Sequence, residues 1–82
     1  MGGNSFKVNL LCFGPLAEEL GFRESTIMID YNVTPRDILI ILNAEKWIDS
    51  GIKIALNGNF ITLDYAITQN CEIALLPPVS GG

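Results

Sequence analysis

The end of the chain holds the residues whose types and spacing could do chemistry. It closes with the sequence Pro-Pro-Val-Ser-Gly-Gly, residues 77–82. Two successive prolines cannot continue a β-ladder and favour extended polyproline geometry. Six extended residues reach about 20 Å, and Gly81 and Gly82 have no Cβ to obstruct a narrow channel. We therefore expect an extended arm that presents the α-carboxylate of Gly82 for activation as an acyl-adenylate, which a sulfur or an amine can then attack.

Other reactive groups in the chain are weaker candidates. There is no histidine, which excludes a histidine-based triad and a histidine general base. Cys12 and Cys71 therefore lack an activating base, and two cysteines are too few for a four-ligand zinc site. We interpret Cys12 as a small buried apolar residue and Cys71 as a residue at a strand entry, separated by about 10–15 Å and so beyond disulfide reach. A domain this small has a thin core, so we predict no bound cofactor.

The charge of the chain limits its partners. Five Lys and Arg residues against nine Asp and Glu residues give a net charge of −4. Binding to nucleic-acid phosphates needs a positive surface, so nucleic acid is disfavoured and a partner with a basic surface is favoured. The longest aliphatic run, residues 38–42, is too short to span a membrane. With no convincing signal peptide, we expect a cytoplasmic protein that does not bind a membrane.

Alternation and turn signals predict the elements of the first half. Residues 6–13 alternate as a first strand, and a short helix with Pro15 in its first turn follows and ends at Gly21. Residues 24–31 alternate as a second strand. Thr34 is a good N-cap, so we predict a helix from there to about residue 44 rather than a buried strand.

The second half reads as a loop, a hairpin and a final strand. We predict a loop over residues 43–51, with Trp47 and Ile48 folded back onto the core. Asn57-Gly58 between two apolar runs is a strong hairpin signal. Asn70 is a residue that tolerates a positive φ in a turn, and residues 72–76 form the last strand.

The order of these elements predicts an α+β roll. The long helix lets the chain cross over, so the final strand can lie parallel beside the first. We predict a mixed sheet with one main helix packed across it. The predicted organisation is a disordered segment over residues 1–5, a domain over residues 6–76 and an extended tail over residues 77–82.

Three segments of the chain resemble the MoaD family, the small subunits of molybdopterin synthase. Residues 73–82 resemble the C-terminus of that family, and residues 13–18 resemble its segment after the first strand. Asn57-Gly58 falls where the family has its hairpin. Related sulfur carriers are ThiS, the Urm-type proteins and the archaeal small modifier proteins. The resemblance implies a ubiquitin-like β-grasp fold, in agreement with the predicted order of elements.

The resemblance also implies a function for the tail. Gly82 would be adenylated with ATP by a MoeB-like enzyme and converted to a thiocarboxylate with sulfur from a donor protein. The tail would then enter a MoaE-like large subunit and donate sulfur to cyclic pyranopterin monophosphate. Such a chain has no complete active site of its own. Gly82 would carry the sulfur, and Gly81 would be the neighbouring residue without a side chain. The segment threaded into the partner would consist of Pro77, Pro78, Val79 and Ser80.

The chain departs from the MoaD family at two places. The family usually has an arginine near the short helix, where this chain has Ala17, Glu18 and Glu19, and this affects the details of partner contacts. Its usual Asp-Gly-Asp-like turn is Gln69-Asn70-Cys71 here. Three alternatives stay open: a ubiquitin-like modifier that forms isopeptide bonds, a carrier for thiamine synthesis or tRNA thiolation, and a β-grasp binding module whose Gly-Gly end is incidental.

An exposed apolar patch is expected beside the tail. Leu11, Phe13 and Leu76 should lie on the solvent face of the first and last strands. Apolar patches of this kind mark binding surfaces. We therefore predict that these three side chains contact the partner proteins.

Overall fold

The computed structural model describes residues 5–78, which contain five strands and three helices. Residues 1–4 and 79–82 lie outside this part, and with them most of the predicted N-terminal segment and tail. In residues 5–78 no helix is long and apolar enough to cross a membrane. The elements are β1 (Ser5–Cys12), α1 (Gly14–Leu20), β2 (Glu24–Asp30), α2 (Pro35–Ile41), α3 (Lys46–Asp49), β3 (Lys53–Leu56), β4 (Asn59–Ile61) and β5 (Cys71–Leu76).

The five strands form one mixed sheet in the order β2-β1-β5-β3-β4. β1 pairs with β2 in antiparallel fashion and with β5 in parallel, with Cys12 opposite Leu75. Antiparallel pairing of β3 with both β4 and β5 completes the sheet. The predicted α+β roll, with the last strand parallel to the first, is therefore confirmed.

One face of the sheet forms the core together with α1 and α2. Alternate residues of β1 and β5, such as Leu10 and Leu75, are fully buried, and their neighbours along the strand are not. Full burial of a leucine side chain contributes about 1.5–3 kcal/mol to the free energy of folding. The core residues are Val8, Leu10, Cys12, Leu16, Ala17, Ile29, Ile38, Leu39, Ala44, Ile52, Ile54, Ile67, Ile73 and Leu75.

A capping box fixes the start of α2. The Thr34 hydroxyl accepts a hydrogen bond from the Asp37 backbone N–H at 3.2 Å, and the Asp37 carboxylate accepts one from the Thr34 N–H at 3.1 Å. These bonds satisfy two backbone donors that the helix itself cannot. The predicted helix is confirmed, but it ends at Ile41 rather than near residue 44. The reason is that Asn43 takes a left-handed conformation with a φ of 59°.

Thr34→Ala is expected to lower the free energy of unfolding by about 1 kcal/mol, because it removes the hydroxyl of the cap. Urea unfolding followed by the Trp47 fluorescence measures the change. The control is Thr62→Ala, since Thr62 is exposed and lies outside the helices and strands. Equal stabilities for the two variants would contradict the role of the cap.

The loop predicted over residues 43–51 contains the short helix α3, so that part of the prediction is wrong. α3 is a single turn of four residues, and bonds at its ends join residues three apart, as from the Ile48 N–H to the Glu45 carbonyl at 3.0 Å. A single turn of this kind is too short to leave a periodic pattern. Trp47 and Ile48 are half-buried and pack against the core, as predicted.

The side chains of two asparagines, Asn57 and Asn70, accept backbone hydrogen bonds in the loops around β5. Asn57 and Gly58 have φ values of 48° and 87° and join β3 to β4, which confirms the hairpin. Gly58 suits this place because a Cβ disfavours that region. Asn57 also accepts a hydrogen bond from the Glu72 N–H at 2.9 Å. Asn70 tolerates a positive φ but does not take one here, and its side-chain oxygen accepts a hydrogen bond from the Lys7 N–H at 2.8 Å.

A two-bond ion pair joins α2 to the segment before β5. The Arg36 guanidinium donates to both carboxylate oxygens of Asp64, at 2.9 and 3.2 Å. The hydrogen bond and the positive charge lower the pKa of Asp64. The stability that a lowered carboxyl pKa provides is present above the ordinary aspartate pKa and is lost as the pH falls through the folded-state value.

Arg36→Gln is expected to return the pKa of Asp64 toward its ordinary value. An NMR titration of the Asp64 carboxyl carbon measures this pKa directly. Lys53→Gln is the control, since it removes a positive charge from a strand and leaves the pair intact. An unchanged Asp64 titration in Arg36→Gln would show that the pair does not form in solution.

Candidate functional site

The root of the tail lies against the turn between β1 and α1. β5 ends at Leu76, and Pro77 follows as a half-buried residue. Gly14 has a φ of +58°, and a Cβ placed on it would lie 3.8 Å from Cγ of Pro77. The positive φ therefore accounts for glycine at the sharp turn into α1, whereas a Cβ would meet Pro77 only at an ordinary van der Waals distance. Pro77 therefore lies near this turn, at the point where the chain leaves the sheet.

The arm itself lies outside the described residues. Pro78 is exposed and is the last residue the structure describes. The roles predicted for Val79, Ser80, Gly81 and Gly82 stay predictions. What the structure adds is the surface from which these residues depart.

The face of the sheet opposite the core carries a row of apolar side chains. Phe60 of β4 pairs with Ala55 of β3, which pairs with Ala74 of β5. Ala74 in turn pairs with Leu11 of β1. Paired residues of neighbouring strands point to the same face. The four side chains therefore form a continuous row across four strands, about 14 Å long.

Phe13 and Leu76 extend this row toward the tail. Continuing the parallel register one step past Cys12 and Leu75 places Phe13 beside Leu76. Phe13 is the residue before α1 and is 46 % exposed. Leu11 and Leu76 are half-buried, and neither is among the side chains that pack against the core. We call the six residues Phe60, Ala55, Ala74, Leu11, Phe13 and Leu76 the outer patch.

Charged and polar residues surround the outer patch. Lys53 pairs with Leu76, and Glu24 pairs with Leu11. Glu72 and Asn9 are paired one step further from the tail. An apolar centre with a polar rim is the usual composition of a protein–protein interface.

A cavity of about 370 Å³ adjoins the patch next to α1. Leu11 and Phe13 line one side, and Ala17 and Glu18 of α1 line another, with Arg23 beside them. Arg23 therefore supplies a basic group next to the short helix, although the helix itself carries Ala17, Glu18 and Glu19. Glu19 forms an ion pair with Lys46 at 3.1 Å.

The sequence reasoning missed three residues of the outer patch. Phe60 is 71 % exposed, the largest value among the exposed large apolar residues of the described chain. Ala55 is buried but does not belong to the core cluster. It lies on the opposite face of the sheet, between Phe60 and Ala74. Alternation within single strands cannot show that Phe60, Ala55 and Ala74 are aligned, because the alignment depends on the order of the strands.

Neither cysteine is placed to act as a nucleophile. Cys12 is buried in the core and Cys71 is half-buried, and both thiols are free. Burial raises the pKa of each thiol, so both are protonated at neutral pH and react slowly. Cys71 pairs with Val8, four residues along β1 from Cys12. Within residues 5–78, no three side chains of His, Cys, Asp or Glu lie together as metal ligands would.

Comparisons with known proteins agree on the fold. The crystal structure of SAMP1 from Haloferax volcanii is 30 % identical over 93 % of this chain and 99 % of its own, with a TM-score of 0.72. A molybdopterin converting factor subunit 1 from Pyrococcus furiosus is 21 % identical over 90 % of this chain and 99 % of its own, with a TM-score of 0.73. The predicted ubiquitin-like β-grasp fold is confirmed.

A further structural neighbour is part of an assembly. It belongs to the protein–protein complex of subunits 1 and 2 of molybdopterin-converting factor from Helicobacter pylori. It is 29 % identical over 94 % of this chain and 100 % of its own, with a TM-score of 0.57. No curated protein is similar enough in sequence to count as a match.

The family comparison covers the sheet and the tail together. The model of the ThiS family matches residues 10–82 and so includes the terminal Gly-Gly. This match, together with the shared β-grasp sheet, shows that the chain belongs to the ThiS family and is a ubiquitin-like sulfur carrier of the ThiS and MoaD type.

Proposed function

We propose that this chain is the sulfur-carrier subunit of a molybdopterin synthase. A MoeB-like enzyme in the cytoplasm joins the Gly82 carboxylate to the AMP portion of ATP and releases pyrophosphate. Sulfide-level sulfur supplied by a donor protein then attacks the Gly82 carbonyl, displaces AMP and leaves a thiocarboxylate. A MoaE-like large subunit receives the tail, and the thiocarboxylate passes its sulfur to cyclic pyranopterin monophosphate.

The observation that carries this proposal is the position of the outer patch. Phe13 and Leu76 lie where the chain leaves the sheet, and Pro77, the first residue after β5, lies near the turn at Gly14. A protein that docks on the patch is therefore placed to receive the arm. Activation and sulfur transfer both need this arrangement, because the carrier has to insert its terminus into an active site that another protein supplies.

The complex from Helicobacter pylori supports a large-subunit partner. The neighbour there is bound to subunit 2 of the same factor, and the present chain covers its whole length at 29 % identity. The outer patch and its polar rim suit a heterologous interface. The net charge of −4 favours partners that present basic surfaces around the docking site.

A second candidate function is protein modification. SAMP1, described as a small archaeal modifier protein, is 30 % identical to this chain. A modifier would use the same acyl-adenylate, but a lysine amine would attack it and form an isopeptide bond. The two functions therefore differ in the acceptor and share the activated terminus.

A single-turnover reaction separates the two functions. The thiocarboxylated chain is mixed with the MoaE-like subunit of the same organism and cyclic pyranopterin monophosphate. We expect the dithiolene to form. Because each carrier supplies one of its two sulfur atoms, two carrier molecules should lose their sulfur for each molecule of dithiolene. The control is the chain with an ordinary carboxylate. Retention of sulfur, together with lysine conjugates when the activating enzyme and ATP are present, would favour the modifier.

A further inference from the structure

The strand β2 leaves one edge of the sheet open. Among residues 5–78, β2 pairs with β1 on one side and has no strand on the other. The Cys12 N–H donates to the Arg23 carbonyl at 2.9 Å, so the backbone polar groups of Arg23 face β1. In an antiparallel ladder this is true of every second residue, and the backbone groups of the residues between them face the other way. The N–H and C=O groups of Glu24, Thr26 and Met28 therefore point away from the sheet. Within residues 5–78 no backbone or side-chain group pairs with them.

This edge lacks the usual protection against strand addition. Natural edges are shortened, or carry prolines, bulges or central charges. β2 is seven residues long and pairs with β1 in one continuous register without a bulge. Residues 25–29 have the sequence Ser-Thr-Ile-Met-Ile and contain neither a charge nor a proline. The opposite edge, β4, is only three residues long.

The edge also leaves apolar surface uncovered on both faces. Ile27 packs against the core but stays half-buried at the edge. Met28 points to the other face and is 63 % exposed, and Tyr31 just beyond β2 is 53 % exposed. An added strand with apolar residues at its centre would cover Ile27 with one side chain and Met28 with the next.

The charges at the two ends of β2 indicate which strand would fit. Glu24 and Asp30 lie six residues apart, about 20 Å in an extended strand, and each is exposed. A second copy of the chain would bring its own net charge of −4 to this edge. Basic residues at the two ends of the added strand would complement Glu24 and Asp30. A basic residue at its centre would instead lie near Lys7, which is opposite Met28 on β1.

We propose that the β2 edge binds an extended segment of a partner protein by β-strand addition. The segment is about seven residues long, with an apolar centre and a basic residue at each end. Its backbone pairs with Glu24, Thr26 and Met28. The centre of this surface, Thr26 and Met28, lies at the opposite edge of the sheet from Phe60, and the proposal does not rest on the sulfur-carrier function.

Titration with a capped heptapeptide, Lys-Val-Val-Val-Thr-Val-Lys, tests the proposal by NMR. We expect saturable shifts of the Glu24, Thr26 and Met28 amides that weaken as salt is added. Thr26→Pro removes one outward N–H and leaves the β1 ladder intact, since proline is tolerated on that side of an edge strand. It is expected to weaken binding about tenfold, whereas the control Thr26→Val retains binding.

Exchange of the two peptide lysines for glutamates tests the charges on the unaltered protein. We expect this peptide not to bind at concentrations that saturate the lysine peptide. Three results would overturn the proposal: no shifts with millimolar lysine peptide, equal binding of both peptides, or equal binding by Thr26→Pro and Thr26→Val. Self-association through β2 in place of peptide binding would also overturn it and would identify a second copy as the occupant.

Discussion

Replacing Gly82 by alanine is expected to slow adenylation by the activating enzyme about a hundredfold, the scale of loss when a reacting group is displaced by about 1 Å. A methyl group next to the carboxylate hinders entry into a narrow channel and displaces the attacking carboxylate oxygen from the α-phosphorus of ATP. Exchange of labelled pyrophosphate into ATP, followed with the carrier and its activating enzyme, measures the rate.

The fold should be unaffected by this change. Gly82 follows the end of β5 at Leu76 by six positions in the sequence, so the thermal midpoint of the Gly82→Ala variant is expected to equal that of the unaltered protein. Gly3→Ala is the matched control, because it adds the same methyl group to the other Gly-Gly pair, which carries no carboxylate. An unaltered exchange rate in Gly82→Ala would count against a threaded tail.

Phe60→Asp is expected to weaken binding to the large subunit at least about a hundredfold, because docking on the outer patch would bury an unpaired carboxylate. Phe60 is 71 % exposed and lies on a three-residue edge strand. The substitution therefore removes little from the core. Titration calorimetry with the purified large subunit measures the affinity.

Met28→Asp is the matched control for this variant. Met28 is 63 % exposed, lies on the same face of the sheet and would receive the same charge, but it belongs to β2 at the opposite edge. We expect its affinity for the large subunit to stay close to that of the unaltered protein. Equal losses in the two variants would mean that overall charge, and not the outer patch, controls binding.

Local signals predicted the elements that depend on few residues. Asn57-Gly58 specifies its hairpin because both residues take a positive φ at little cost. Thr34 specifies the start of α2 because its hydroxyl caps the Asp37 N–H. The short helix α3 could not be predicted, since one turn held by tertiary packing of Trp47 and Ile48 has no sequence period.

The candidate site was predictable only along single strands. Alternation in β1 placed Leu11 opposite the buried Leu10, and the same argument placed Leu76 beside the buried Leu75. Phe60 belongs to the same surface because β3 and β5 connect it to β1. That connection depends on pairing between residues far apart in the chain, which no local pattern contains.

The most direct test of the account is the mass of the C-terminal peptide of the protein isolated from its native cell. The account predicts two forms of a peptide that ends at Gly82, differing by the exchange of one oxygen atom for sulfur, with the sulfur on the terminal carbonyl. Untrimmed residues after Gly82, or a Gly82 found only in isopeptide bonds to lysine, would contradict the claim that the free carboxyl end carries sulfur.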